Sequence, residues 1–206
     1  KFDFKAVTIT YGMGEQIEVL SNQGKEHGRE HEIIDTQIFE LAGEKIRKNS
    51  SFCSFFSRMR RGYLYTTALE QGYNKIALGH HLDDAMESYF MNLFYNGTMR
   101  TMPPIYKAEN GLEVIRPLIF CRERQLRAFA DSNEIRVIGD EACPGLRFDV
   151  KMPHARAATK ELLAKLEEQN PKIFVSMKAA FSNIQLPTFF YKDLKDIKLN
   201  IEDETI

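Results

Sequence analysis

The chain is poor in three features that point to particular classes of protein: cysteine, excess charge of one sign and long apolar runs. Three cysteines in 206 residues are too few and too scattered for a disulfide-stabilised scaffold. The net charge of −1 argues against a protein that coats polyanions, so any nucleic-acid surface must be a local patch. No apolar run is long enough to cross a bilayer, and the first residues lack an apolar signal core. We therefore expect a cytoplasmic protein with no membrane partner.

The composition that remains is that of an ordinary globular protein, with 43% hydrophobic and 28% charged residues. Its length suits one substantial domain. The chain begins with Lys1 rather than Met, which is typical of a trimmed form of a longer protein.

Short apolar segments alternate with helical patterns along most of the chain. Strands are predicted over residues 6–10 and 31–35, and each is followed by a helical period, over 16–25 and 37–48. This order favours a parallel sheet with crossover helices. The other predicted segments are helices over 50–72 and 122–132, strands over 76–78, 113–117 and 136–139, a loop over 98–107, and helices from 154 to 184 interrupted at Pro171. We expect an α/β, Rossmann-like domain over 1–150 and a helical C-terminal extension over 151–206.

The stretch from residue 74 to residue 97 concentrates polar side chains between a strand and a helix. An apolar run ends at Gly79, and two histidines and two aspartates follow it. Glu87 lies off the helical apolar stripe that comes next, which is formed by Met86, Phe90, Leu93 and Phe94. Open α/β sheets place ligand sites at the carboxyl ends of their strands, where this turn would lie.

Two interpretations of this turn remain open. His80 and His81 can donate to phosphate oxygens, while Asp83 and Asp84 can hold Mg²⁺ or orient a nucleophile. Alternatively, one aspartate is a helix N-cap and the histidines are partly buried loop residues. A zinc site is less favoured, because adjacent histidines point apart and no second ligand cluster is present.

Basic residues occur in two groups that could contact nucleic acid. Arg58, Arg60 and Arg61 share a predicted helix with two tyrosines, and either contact phosphates or form a solvated basic face. Arg116 and Arg122 belong to a second basic region.

The three cysteines differ in their surroundings. Cys53 lies at a predicted helix start, where a thiolate is stabilised, and Cys143 lies in a Pro/Gly loop. Cys121 lies between Phe120 and Arg122 and is more typical of a small packing residue. Taken singly, each is more typical of a structural than of a catalytic cysteine.

Several ordered motifs together resemble the PP-loop ATP pyrophosphatase superfamily, and within it the tRNA 2-thiocytidine synthetase family. They are KIALGHHLDDAMESYFMNLFYNG, MRTMPP, VIRPLIFCRE and FADS. CSFFSRMRRG resembles that family's CxxCSRxRRG segment, and IGDEACPG stands where the family has a second cysteine pair. The resemblance covers about residues 53–184 and implies an adenine nucleotide alpha hydrolase-like fold.

The resemblance also implies an activity and a set of partners. Members of the family use ATP to adenylate a tRNA base carbonyl and then replace its oxygen with sulfur. ATP, Mg²⁺, tRNA, a sulfur donor such as a cysteine desulfurase and a second copy of the chain are the expected partners. By resemblance the ATP-binding residues are Thr10, Gly79, His80, His81, Asp83 and Asp84, with the last two beside Mg²⁺. The residues implied to contact tRNA are Arg58, Arg60, Arg61, Arg116 and Arg122, and the catalytic residues are Cys53, Cys143 and Asp84.

Two departures from the family pattern change what is expected. The phosphate-cradling SGGxDS loop should precede Phe4, and the printed residues contain no match, so we expect this chain alone to bind ATP weakly. Phe56 and Asp140 replace two expected cysteines, which argues against an iron–sulfur cluster and favours persulfide transfer between Cys53 and Cys143. The alternatives are a lysidine-synthase-like ligase, which needs no cysteine, and a non-catalytic paralogue that acts as a binding subunit.

Overall fold

In the computed structural model, the described residues are 2–15, 17–26, 28–45, 52–137 and 154–188. The chain divides into two compact units, Lys1–Leu163 and Ala164–Ile206. None of the helices within the described ranges is long and apolar enough to cross a membrane.

The first unit begins with two parallel strands. Strand β1 (Ala6–Ile9) pairs with β2 (His31–Ile34), with Ala6 opposite His31, and α1 (Glu18–Glu26) lies between them in the chain. Both strands are rich in β-branched residues, which suit a pleated, partly buried surface. The predicted strand–helix–strand order and parallel pairing are therefore confirmed.

One hydrophobic cluster joins this sheet to the next two helices, α2 (Ile38–Lys45) and α3 (Phe52–Glu70). Its buried members are Ile9, Ile38, Ala42, Phe55 and Phe56. Met59 and Tyr63 pack against it, as the helical period predicts. Because this stripe faces the cluster, the arginines of α3 fall on its exposed side.

The second sheet has the order β3-β5-β4 and is mixed rather than wholly parallel. Strand β3 (Lys75–Ala77) runs parallel to β5 (Glu113–Ile115), and β4 (Ile105–Lys107) runs antiparallel to β5. The loop predicted over 98–107 is therefore wrong at its last three residues, which form β4. The missed signal is Asn110-Gly111, a dipeptide typical of hairpin turns, and Gly111 has the positive φ of 91° that such turns require.

Helix α4 (Leu82–Asn96) follows β3 and is buried mainly along its first two turns. Met86 is fully buried as predicted, but Phe94 is 53% exposed, so the predicted stripe is wrong at its far end. Glu87, expected off the stripe, is only 5% exposed. The buried part of α4 thus includes a carboxylate that hydrophobic periodicity cannot identify.

The remaining helices are α5 (Glu123–Ser132), α6 (His154–Gln169) and α7 (Ile173–Ala180), followed by a 3-10 helix (Leu186–Thr188). The predicted interruption at Pro171 is confirmed. The strand predicted over 136–139 is absent at 136–137, and its other residues lie outside the described ranges.

Candidate active site

The first turn of α4 is closed by a reciprocal pair of hydrogen bonds. The His81 N–H donates to Asp84 Oδ2 at 3.0 Å, and the Asp84 N–H donates to His81 Nδ1 at 3.4 Å. His81 is therefore the N-cap, and Asp84 is its partner three residues on. The alternative in which one of the aspartates is the N-cap is wrong, because an imidazole nitrogen takes that position.

Asp83 joins the start of α4 to the start of α5. Arg122 donates through Nε and Nη2 to the Asp83 carboxylate at 3.1–3.2 Å, and the Glu123 N–H donates to Oδ2 at 2.8 Å. Burial alone would raise the pKa of Asp83, but these hydrogen bonds outweigh it and lower the pKa below its usual value. Both side chains are nearly enclosed, with 14% of Asp83 and 12% of Arg122 exposed.

A second arginine, Arg156 of α6, links two carboxylates of α4. Its Nη2 donates to Asp84 Oδ1 and its Nε to Glu87 Oε2, both at 2.8 Å. Neither Arg156 nor Glu87 was selected from the sequence. The available signal was the i, i+3 spacing of Asp84 and Glu87 at the start of a helix, which places two acids on neighbouring positions.

His80 contacts a third arginine, which follows β5. Arg116 Nε donates to His80 Nδ1 at 3.3 Å and Nη1 donates to the Pro103 carbonyl at 2.7 Å. The guanidinium lies 5.3 Å from the ring centroid of Tyr106, whose hydroxyl is 2.9 Å from that of Tyr65 on α3. Arg116 is thus restrained by groups from three parts of the chain.

The electrostatic surroundings of His80 are positive. Burial is the main reason that the pKa of His80 lies below its ordinary value, and the positive charge of Arg116 is the next. The charge of Asp84 acts in the opposite direction, while Arg156 and Arg60 lower the pKa further. Arg60 belongs to the exposed side of α3, so the predicted basic helix face and the histidine turn influence one another.

Other residues expected at the site are placed as follows. Thr10 is buried at the end of β1, where its hydroxyl donates to Asp35 and accepts from the Thr36 N–H. Cys53 lies in the first turn of α3, at a helix start as predicted. Cys143 lies outside the described residues. Cys121 is a partly buried free thiol whose carbonyl accepts from the Leu82 N–H at 2.8 Å.

This arrangement has the chemistry of an anion site beside carboxylates, at the carboxyl end of a parallel strand. The family model described as a PP-loop domain matches residues 21–151. The chain belongs to the PP-loop family. The PP-loop chain is 40% identical to a tRNA-cytidine(32) 2-sulfurtransferase of Geobacter metallireducens, over 90% of this chain and 71% of that relative. A Pseudomonas syringae protein of the same name is 36% identical over the whole of this chain and 74% of its own.

A solved structure shows the same PP-loop fold at lower sequence similarity. It is that of U34-tRNA thiolase NcsA from Methanococcus maripaludis with its 4Fe-4S cluster, with a TM-score of 0.70 at 20% identity. The match covers 91% of this chain and 63% of that one. The predicted α/β fold and family are thereby confirmed.

Proposed function

We propose that this chain is the catalytic domain of an ATP-dependent tRNA thiolase that converts a cytidine of tRNA, at position 32, to 2-thiocytidine. The relatives named tRNA-cytidine(32) 2-sulfurtransferase, similar over more than two thirds of their length, support this reaction. ATP adenylates the base carbonyl oxygen with release of pyrophosphate, and AMP leaves with that oxygen when sulfur attacks the carbon. The tRNA substrate favours a cytoplasmic location.

The observation that carries the proposal is the convergence of positive charge on His80 from three separate elements. Arg116, after β5, donates to His80 at 3.3 Å, and Arg156 of α6 donates to Asp84 at 2.8 Å in the same turn. Together with Arg60 of α3, their charges add to the lowering of the His80 pKa that burial begins. Fixed cations are the groups that stabilise charge on phosphate oxygens. A Cβ placed on Gly79 would meet no atom of the described residues within 4 Å, so the turn leaves open space for a phosphate to approach.

Asp83 and Asp84 were both expected beside Mg²⁺, and we assign them different roles. Asp83 receives three N–H groups from Arg122 and Glu123, so we assign it to positioning the turn against α5. Asp84, whose Oδ1 accepts from Arg156 Nη2 at 2.8 Å, is the carboxylate that would hold Mg²⁺, and the ion would supply positive charge to the phosphates of ATP. Mg²⁺ is commonly bound by one or two carboxylates together with substrate phosphates. That mode suits this chain, since no cluster of three metal-ligating side chains occurs in the residues that the structure describes.

The exposed side of α3 is the proposed tRNA surface. Arg58, Arg60 and Arg61 are exposed there, and phosphate contacts of this kind position a nucleic acid without reading its sequence. Arg122 is reassigned, because its guanidinium lies on Asp83 and is nearly enclosed. Thr10 contributes by fixing the end of β1, since its hydroxyl and carbonyl are both used by Thr36.

Sulfur transfer through Cys53 and Cys143 fits this chain better than an iron–sulfur cluster. Phe56, which stands where the family has a cluster cysteine, is 3% exposed and packs edge-on against Tyr11 and Phe55 at 5.3 and 5.7 Å. That position of α3 therefore belongs to the hydrophobic core. We propose that a persulfide carried by one cysteine supplies the sulfur, that the other cysteine releases it by forming a disulfide, and that a cysteine desulfurase is the source.

The test measures 2-thiocytidine in the tRNA of cells that lack their own thiolase and carry the full-length protein. Wild type should restore the nucleoside, and Cys53→Ser and Cys143→Ser should each abolish it. Cys121→Ser is the matched control and should retain it, because the hydrogen bonds of Cys121 to Leu82 and Leu118 are made by its backbone, which the substitution keeps. Absence of 2-thiocytidine with the wild type would overturn the proposed function. Its full retention in either serine variant would overturn the two-cysteine transfer.

A further inference from the structure

The contact between Arg116 and His80 determines which nitrogen of the imidazole carries the proton. A guanidinium has only N–H donors and no acceptor, so the His80 Nδ1 that faces Arg116 Nε must be the unprotonated nitrogen. In a neutral imidazole the proton then lies on Nε2. The pKa of His80, lowered by burial and by Arg116, is consistent with a neutral ring at neutral pH.

The position of Arg116 is itself fixed by its other contacts. One terminal nitrogen donates to the Pro103 carbonyl at 2.7 Å, and the central guanidinium carbon lies over the Tyr106 ring, 5.3 Å from its centroid. Tyr106 is joined through its hydroxyl to Tyr65 of α3. A lysine is a point donor on a flexible stem and cannot reproduce a fork that donates in two directions while stacking on a ring.

We propose that Arg116 is a positioning residue that fixes His80 in its Nε2–H tautomer, so that His80 presents a neutral donor to an anionic oxygen of the bound nucleotide. The identity of that ligand rests on the proposed function; the tautomer does not. Arg116 acts through His80, which differs from the direct tRNA contact that the sequence resemblance implied. Tyr106 and Tyr65 extend the same chain of contacts to the helix that carries the basic face.

The tautomer can be observed directly by NMR on full-length protein with ¹⁵N-labelled histidine, at about pH 8 and without ATP or tRNA. The His80 signals are assigned as those lost in His80→Gln. Wild type should show an unprotonated Nδ1 and a protonated Nε2. In Arg116→Gln and Arg116→Lys we expect averaging between the two tautomers, because the donor that faces Nδ1 is lost or displaced.

Arg29→Gln is the matched control, since the guanidinium of Arg29 also lies over an aromatic ring, that of Phe4, at 5.1 Å from the centroid. It should leave the His80 signals unchanged. Tyr106→Leu removes the stacking surface while keeping Arg116 and should give a partial shift toward the second tautomer. This variant keeps the test decisive if Arg116→Gln fails to fold.

Activity provides the second measurement. Arg116→Gln should lower kcat by about 10- to 100-fold, as is usual for groups that fix the tautomer of a functional histidine, with little change in KM for tRNA. An unchanged Nε2–H tautomer in folded Arg116 variants would overturn the proposal. So would a loss confined to tRNA affinity, with a weaker salt dependence, because that is the behaviour of a phosphate contact. Failure of the proposed thiolation would instead appear as an inactive wild type with the tautomer intact.

Discussion

The carboxyl ends of β1 and β3 are both polar, but different forces stabilise them. At the end of β1 the contacts join hydroxyl, backbone and carboxylate groups that are closer in sequence than those at the end of β3: the Thr36 N–H donates to the Thr10 hydroxyl at 3.1 Å, and the Thr36 hydroxyl donates to the Thr10 carbonyl at 2.6 Å. The Thr10 hydroxyl in turn donates to Asp35 Oδ1 at 3.2 Å. Gly12 lies so close that a Cβ there would be 2.5 Å from the Thr36 carbonyl oxygen. Close backbone contacts therefore close this end of β1 at Gly12.

At the end of β3 the partners are charged and come from distant parts of the sequence. Arg116, Arg122 and Arg156 each contact a residue of the histidine–aspartate turn. An ion pair can exchange one partner for an ion or a phosphate, whereas a neutral contact through the backbone cannot be exchanged without unfolding. The difference supports the proposed placement of the phosphate site at the end of β3 rather than at the end of β1.

The largest expected effect tests the closed end. Gly12→Ala should lower the free energy of unfolding by about 3 kcal/mol, because alanine is strained at a φ of 78° and its Cβ meets backbone. Gly14→Ala is the control: φ is also positive, at 69°, but a Cβ there meets no described atom within 4 Å, so about 1 kcal/mol is expected. Urea unfolding measures both, and equal losses would contradict the close approach at Gly12.

The next effect tests the charged end. Arg156→Met should lower the free energy of unfolding by about 2 kcal/mol, because it leaves the buried Glu87 carboxylate without its guanidinium. The loss is smaller than for a fully buried ion pair, because 53% of the Arg156 side chain is exposed. Lys160→Met on the same helix breaks an exposed pair with Glu123 and should cost less than about 0.5 kcal/mol. Adding Glu87→Gln to Arg156→Met should recover stability in urea unfolding. A further loss instead would show that burial of the charge is not the cause.

The smallest effect concerns pH. Asp83→Asn should lower the free energy of unfolding by about 1.5 kcal/mol at neutral pH, because hydrogen bonds to the charged carboxylate are lost. This difference in stability between wild type and variant is the gap that depends on pH. The folded-state pKa of Asp83 lies below 3.8, so its stabilising contribution is complete above that pH and disappears as the pH falls through the folded-state pKa. The gap between wild type and variant should therefore narrow below about pH 4. Asp131→Asn, at an exposed position, should show almost no gap at any pH; a pH-independent gap for Asp83→Asn would refute the charge-based explanation.

Local signals in the sequence predicted the elements well. Periodicity located β1, β2 and the helices, and the polar turn predicted after Gly79 does join β3 to α4. The hairpin that forms β4 was not predicted: Pro103 and Pro104 are typical of a loop, whereas the signal for the hairpin is the Asn110-Gly111 turn that follows β4.

The contacts within the site could not be predicted in the same way. Hydrophobic periodicity treats a charged residue as exposed, whereas Glu87 is buried because Arg156 neutralises it. Arg122 appeared to be a surface cation, and its enclosure depends on how α5 meets α4. Such pairings are set by tertiary structure, so no pattern of neighbouring residues contains them.

The pairing of Glu87 with Arg156 also affects the order in which the chain folds during synthesis. The two residues are 69 positions apart, so α4 leaves the ribosome well before its counter-ion does. Until then, a nascent chain that packed α4 as in the finished protein would bury an unpaired carboxylate, at the cost of about 2 kcal/mol expected for Arg156→Met. Native packing of α4 is less stable by that amount until α6 has emerged, so we expect the histidine–aspartate turn to become ordered late in synthesis.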